Sequence, residues 1–184
     1  YPLRRQRQMC IRDSTAGFNT VDLNIFNPIT IILVMLLMFI GASPSGTGGG
    51  IKTTTLSILI NSTRAALRGQ EQVIIYGRRL PNELILKAIA VALGSALTVV
   101  FCISLMILAE PDLSKLKLVF EAVSAFATVG LSLGVTAQLS PFSQVILVIT
   151  MFIGRVGVTL LMAAIVGDPK PSLIRYPEEN LLVG

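Results

Sequence analysis

Residues 29–50 read ITIILVMLLMFIGASPSGTGGG, and this stretch decides the fold. Its first part, 29–42, is an unbroken apolar run, shorter than the about 20 residues a plain helix needs to cross a bilayer. Ser43-Pro44-Ser45-Gly46-Thr47-Gly48-Gly49-Gly50 follows. It cannot stay helical, because proline removes a backbone donor and glycine loses the most conformational entropy on ordering. From Ile51 to Thr63 the chain is fairly apolar again. At membrane depth, irregular backbone survives only where it is buried in protein or lines a wet cavity. The segment therefore predicts a broken transmembrane helix whose break faces a pore.

The rest of the chain agrees with a membrane setting. Of 184 residues, 53% are hydrophobic and only 14% charged, with a mean hydropathy of +0.76. A soluble domain would carry roughly a quarter charged residues. The fold class expected is an all-α integral membrane protein. There is no histidine, which removes the commonest metal ligand and the usual general base. With no paired carboxylates evident in the spans either, no enzyme chemistry and no cofactor are expected. The net charge of +5 could point to nucleic acid, but its distribution points elsewhere. Arg64, Arg68, Arg78, Arg79 and Lys87 crowd one connection between apolar spans, the pattern of a cytoplasmic loop. Residues 64–87 are therefore placed in the cytoplasm, and no nucleic-acid partner is expected. Cys102, in an apolar run, reads as a packing residue.

Residues 84–109 are long enough to span, and Pro111 closes them. Residues 114–127 (SKLKLVFEAVSAFA) have a helical pattern but are too short and charged to cross, which fits a re-entrant helix. Residues 141–167 make another full span, with Pro141 suited to a first helical turn. The chain also repeats itself. Adding 113 takes Thr15 to Thr128, Gly17 to Gly130, Pro28 to Pro141, and Met38-Phe39-Ile40-Gly41 to Met151-Phe152-Ile153-Gly154. Aligned glycines, a proline and a tetrapeptide at one offset point to duplication.

Each repeat presents a Thr-X-Gly tripeptide before an inner span: Thr15-Ala16-Gly17 and Thr128-Val129-Gly130. The second follows the short helix, giving span, re-entrant helix, tripeptide, span. A bare potassium ion needs a cage of oxygens to replace its hydration shell. Consecutive backbone carbonyls supply it, and glycine allows the dihedrals that aim them inward. These six residues are the candidate selectivity filter. A lone tripeptide of this type is only a turn; its place after a re-entrant helix, twice at one offset, carries the reading. Asn19 and Ser132, just outside the tripeptides, are expected to tune ion entry.

The run Thr15-Ala16-Gly17-Phe18-Asn19-Thr20, with Ile40-Gly41-Ala42 and the glycine segment through Lys52-Thr53-Thr54-Thr55, resembles the third pore unit of the Trk/Ktr/HKT potassium transporter superfamily. Ala127-Thr128-Val129-Gly130-Leu131-Ser132 and Gly154-Arg155-Val156-Gly157 resemble its fourth, and Tyr176-Pro177-Glu178-Glu179-Asn180 resembles the end of the Ktr membrane subunit. The resemblance implies four units of helix, pore helix, filter and helix in one polypeptide around a central pore. It also implies an obstructing intramembrane loop, here Ser43 to Gly50, and commonly a homodimer gated by a cytoplasmic nucleotide-binding ring. Only two filter tripeptides are present, so the first two units are expected to be missing from this chain.

The divisions that follow are 1–14 as a non-native leader, since its arginines do not suit a pore helix; 15–68 as the filter and broken helix of the third unit; 69–83 as the cytoplasmic connection; 84–168 as the fourth unit; and 169–184 as a cytoplasmic tail. Two cations enter the candidate gate. An arginine deep in a span costs roughly 2.5–3.5 kcal/mol on insertion scales, so Arg155 should face a wet or paired site. Lys52 follows the loop, where a long side chain can also simply reach water. The function expected is potassium uptake across the cell membrane by a multi-pass protein. A two-unit subunit of an oligomeric cation channel is an alternative, as is a membrane scaffold packed through Gly46 and Gly50. A phosphate-binding loop at Gly46–Thr53 is a further rival, weakened because Ile51 stands where that motif has glycine.

Overall fold

A computed structural model describes residue 17 and residues 22–41, 48–70, 72–75 and 78–157. The leader, Thr15, Ala16, Asn19, the loop residues Ser43 to Thr47, and the tail lie outside the described residues.

The first apolar run forms helix α1 (Pro28–Phe39). Pro28 occupies the first turn, where its missing N–H has no helical partner to lose, and the Asn27 side chain accepts the Ile29 N–H at 3.3 Å. Beyond the glycine segment the chain resumes as α2 (Thr53–Leu67). The two ends of the break are clasped together. Gly41 N–H donates to the Ile51 carbonyl at 2.6 Å, and Ile51 N–H donates to that of Phe39 at 3.1 Å. The interruption is thus a closed loop.

The connection after α2 is not wholly irregular. Strands β1 (Ile74–Ile75) and β2 (Arg78–Arg79) pair antiparallel, Ile74 opposite Arg79. This corrects the all-α expectation in one detail: β-branched isoleucines favour extended pairing even in a short basic connection. Arg78 and Arg79 remain exposed. Helix α3 (Asn82–Ala109) has 28 residues, about 42 Å at 1.5 Å each, more than the roughly 30 Å bilayer core. Its most apolar stretch has a mean hydropathy of 2.5.

Helix α4 (Lys115–Ala127) has 13 residues, about 20 Å, too short to cross. It lies at the centre, packed by α1, α3 and α5 (Pro141–Val156). Every residue from Phe120 to Ala127 is buried. Phe120, Val123 and Phe126 meet Met35, Met38 and Val99 on one side. On the other, Leu118, Ala122 and Ala125 meet Cys102, Met106 and Leu147. The same short rod thus serves two apolar clusters.

Of the span expected over 141–167, Pro141–Val156 forms helix α5 and Gly157 turns out of helical geometry at φ 86° and ψ 134°; residues 158–167 lie outside the described residues. Elements 113 residues apart match in kind. The 3₁₀ turn Leu23–Ile25 corresponds to Thr136–Gln138, and the helix start at Pro28 to that at Pro141. At the end of α3, Glu110 accepts the Ser140 N–H at 2.8 Å and the Ser143 hydroxyl at 3.1 Å, tying the end of α3 to the start of α5.

Candidate functional site

The C-terminal end of α4 is where the candidate residues meet. Thr128 adopts a left-handed conformation, φ 53° and ψ 37°. Its N–H donates to the Ala125 carbonyl at 3.1 Å, and Val129 N–H donates to that of Ser124 at 3.0 Å. This is the double bond pattern that glycine usually closes at a helix end. A β-branched residue at positive φ is strained, by about 1–2 kcal/mol, so something must hold it there. The Thr128 hydroxyl accepts the N–H of Gly49, 79 residues earlier in the chain, at 2.8 Å. Glycine in place of Thr128 would relax the backbone and lose this bond.

Gly49 fits the space with nothing to spare. A Cβ added to it would lie 2.8 Å from the Phe126 carbonyl oxygen and 3.1 Å from that of Gly154. A methyl on Gly154 would overlap the Phe126 carbonyl. Two glycines, one from the loop and one from α5, therefore let three backbones converge at the end of α4. The unpaired carbonyls of a helix end carry roughly half a negative charge, so the convergence sits where a cation is favoured.

The two tripeptide glycines are also neighbours. Gly17 and Gly130 have φ of 70° and 83°, and a Cβ on Gly17 would lie 2.5 Å from the Gly130 carbonyl oxygen. Gly130 is exposed, with Thr128 and Val129 half-buried. The structure thus gathers Gly17, Thr128, Val129, Gly130, Gly48, Gly49 and Gly50 into one region. Lys52 is exposed just before α2. Arg155 is exposed in the last turn of α5, next to the Gly154 contact. Any approach of Arg155 to Ser43, Ser45 or Thr47 lies outside the described residues.

The Ser132 hydroxyl donates to the Glu121 carboxylate. Glu121, on α4, is only 6% exposed. Sequence reasoning passed over it. The signal available was a lone carboxylate in the apolar part of a re-entrant helix, where a charge must be paired or hydrogen-bonded. Nearby, the Ser124 hydroxyl donates to the Leu131 carbonyl at 2.6 Å. A cavity of about 300 Å³ adjoins these groups, lined among others by Glu121, Ser124, Thr128, Gly130, Ser132 and Thr136.

A central short helix, a glycine segment pressed against its end and a partner helix long and apolar enough to cross a membrane make up this helical architecture. A solved structure, the potassium transporter TrkH from Vibrio parahaemolyticus, shares this fold with a TM-score of 0.67 at 20% identity, over 85% of this chain and 35% of that one. Residues 9–176 match the family described as TrkH, cation transport protein, a match that begins inside the stretch read as a leader. The chain belongs to this TrkH cation transport family. It is 39% identical over 170 residues to the Ktr system potassium uptake protein B of Vibrio alginolyticus, and 38% identical to the protein of that name in Bacillus subtilis (strain 168). The potassium/sodium uptake protein NtpJ of Enterococcus hirae is 32% identical over 181 residues. Each alignment takes in more than nine-tenths of this chain but only 37%, 38% and 40% of the relative.

Proposed function

We propose that this chain supplies part of the selectivity filter and the obstructing loop of a potassium-uptake pore in the cell membrane. The observation that carries this reading is the convergence of Gly17, Thr128–Gly130 and Gly49 at the carbonyl end of one buried short helix. Carbonyls of Thr15 to Gly17 and Thr128 to Gly130 would replace the hydration shell of the potassium ion, which is the substrate. The relatives named as potassium uptake proteins support the choice of ion. The gate is the segment Ser43–Gly50 with Lys52 and Arg155. The Gly49–Thr128 bond holds the loop against the filter, and a guanidinium below a cation filter repels potassium until the loop moves aside. No cofactor and no covalent step enter this reading.

The partners proposed are two further pore units completing the ring, a second copy of the protein, and a cytoplasmic nucleotide-binding ring that moves the loop. The basic connection 64–87 and the C-terminus face the cytoplasm. The test is potassium uptake by the full-length gene product in potassium-starved cells lacking their own uptake systems. Restored potassium entry, and higher flux when Gly48 to Gly50 are shortened or Arg155→Gln is made, is the result expected. No uptake at matched protein level would remove the function; lower flux from both changes would remove the gate.

A further inference from the structure

Glu121 is a buried carboxylate that the proposed ion path leaves unused. Its surroundings form a hydrogen-bonded chain with a fixed direction. A serine hydroxyl has one proton to give and two acceptor positions, and Ser132 uses all three. It donates to Glu121 Oε1, accepts the Gly134 N–H at 2.9 Å, and pairs with the Thr136 hydroxyl at 3.0 Å. Because the only Ser132 proton goes to the carboxylate, Thr136 must be the donor in its pair. Three points of the segment leaving the filter, at 132, 134 and 136, therefore hang on one acceptor in α4. One turn further along α4, Ser124 holds the Leu131 carbonyl of the same segment at 2.6 Å.

We propose that Glu121 is a positioning residue for ion selection: through Ser132 it fixes the segment that follows Gly130, and so the direction of the filter carbonyls. The inference rests on the potassium-pore reading above. The Glu121 oxygen that Ser132 reaches acts as an acceptor, so it dictates the sense of the whole chain. A carbon side chain there would leave Ser132 free to rotate and Gly134 and Thr136 without a fixed partner. Gly130, exposed at φ 83°, leads directly into this segment and would follow. Glutamine keeps one carbonyl oxygen for Ser132, so the geometry requires an acceptor and not a charge.

The test compares potassium and sodium uptake by the full-length gene product carrying Glu121→Ala, Glu121→Gln, Ser132→Ala or both alanines, at matched protein level. Glu121→Ala and Ser132→Ala should each lower potassium-over-sodium discrimination roughly two- to ten-fold, the range one lost hydrogen bond can move an equilibrium. The double variant should be no worse than Glu121→Ala, and Glu121→Gln should stay near wild type. Unchanged discrimination with only reduced protein or maximal rate would make Glu121 a packing residue. Equal losses from Gln and Ala would make charge the active property, and either result overturns the proposal. A second readout is amide hydrogen exchange over 131–136 in the purified protein. It should quicken in Glu121→Ala and Ser132→Ala but not in Glu121→Gln; unchanged exchange overturns the proposal. If the wild type moves neither ion, the uptake reading falls, while exchange still decides whether Glu121 positions the segment.

Discussion

The N–H of Gly49 and the hydroxyl of Thr128 meet at 2.8 Å across 79 residues of chain. One belongs to a loop that interrupts a helix; the other caps the central helix in a left-handed conformation with φ 53°. The bond gives the loop a polar anchor in the packed interior, where an unpaired amide costs about 1–3 kcal/mol. It also offsets part of the strain of holding a threonine where glycine is usual.

From this bond we predict that Thr128→Val, which keeps the β-branched shape and the two backbone bonds that close α4 but lacks the hydroxyl, frees the loop. Potassium uptake by the full-length gene product should rise roughly two- to ten-fold, and Thr128→Ser should match wild type. Equal rates for Val and Ser, or a fall in both, would show that the bond does not hold the gate.

Gly130 is predicted to be intolerant of a side chain for a different reason. Its φ of 83° costs a residue with a Cβ about 1–2 kcal/mol, so Gly130→Ser should turn the carbonyl and weaken discrimination against sodium. Paired potassium and sodium fluxes measure this. An unchanged ratio would take Gly130 out of the filter.

Gly154 faces a steric limit inside a helix. A methyl there overlaps the Phe126 carbonyl, so Gly154→Ala should destabilise the protein by about 1–3 kcal/mol as α5 is pushed off α4. Gly134 has φ 78° and nothing within 4 Å of an added Cβ, so Gly134→Ala should cost only backbone strain, about 1 kcal/mol. Thermal unfolding in detergent compares the two, and a larger loss at Gly134 would contradict the packing described.

Glu110 gives a pH prediction at the junction of α3 and α5. The Ser140 side chain and backbone N–H, with the Ser143 hydroxyl, hold its carboxyl below the usual carboxylate range. A folded value below the unfolded one means stability that is fully present above the ordinary carboxylate range. That stability is lost as pH falls through the depressed value. Unfolding temperature should therefore drop more steeply on acidification in wild type than in Glu110→Gln. Parallel pH profiles would show that the carboxylate contributes nothing at this junction.

The chain's own chemistry determined where helices could and could not run. Pro44 and the glycines to Gly50 forbid a helix whatever surrounds them, and α4 is too short to cross however it packs. The order of short helix, Thr128-Val129-Gly130 and following apolar helix was equally legible, because backbone dihedral limits and element length act over a few residues. Gly157 stood out in the sequence only as part of a motif, although its conformational freedom is local information; only the structure revealed that α5 ends before it. The small pairing of Ile74–Ile75 with Arg78–Arg79 was likewise hidden by the charge of its connection. What no local rule could supply was the partner of each polar group. Thr128 finds Gly49 from another repeat, Gly154 finds the Phe126 carbonyl, and Glu121 finds Ser132 on the far side of Thr128-Val129-Gly130. A hydrogen bond or a backbone contact depends on ångström-scale approach between distant segments. That approach is set by how α1, α3 and α5 close around α4, which only the tertiary structure decided.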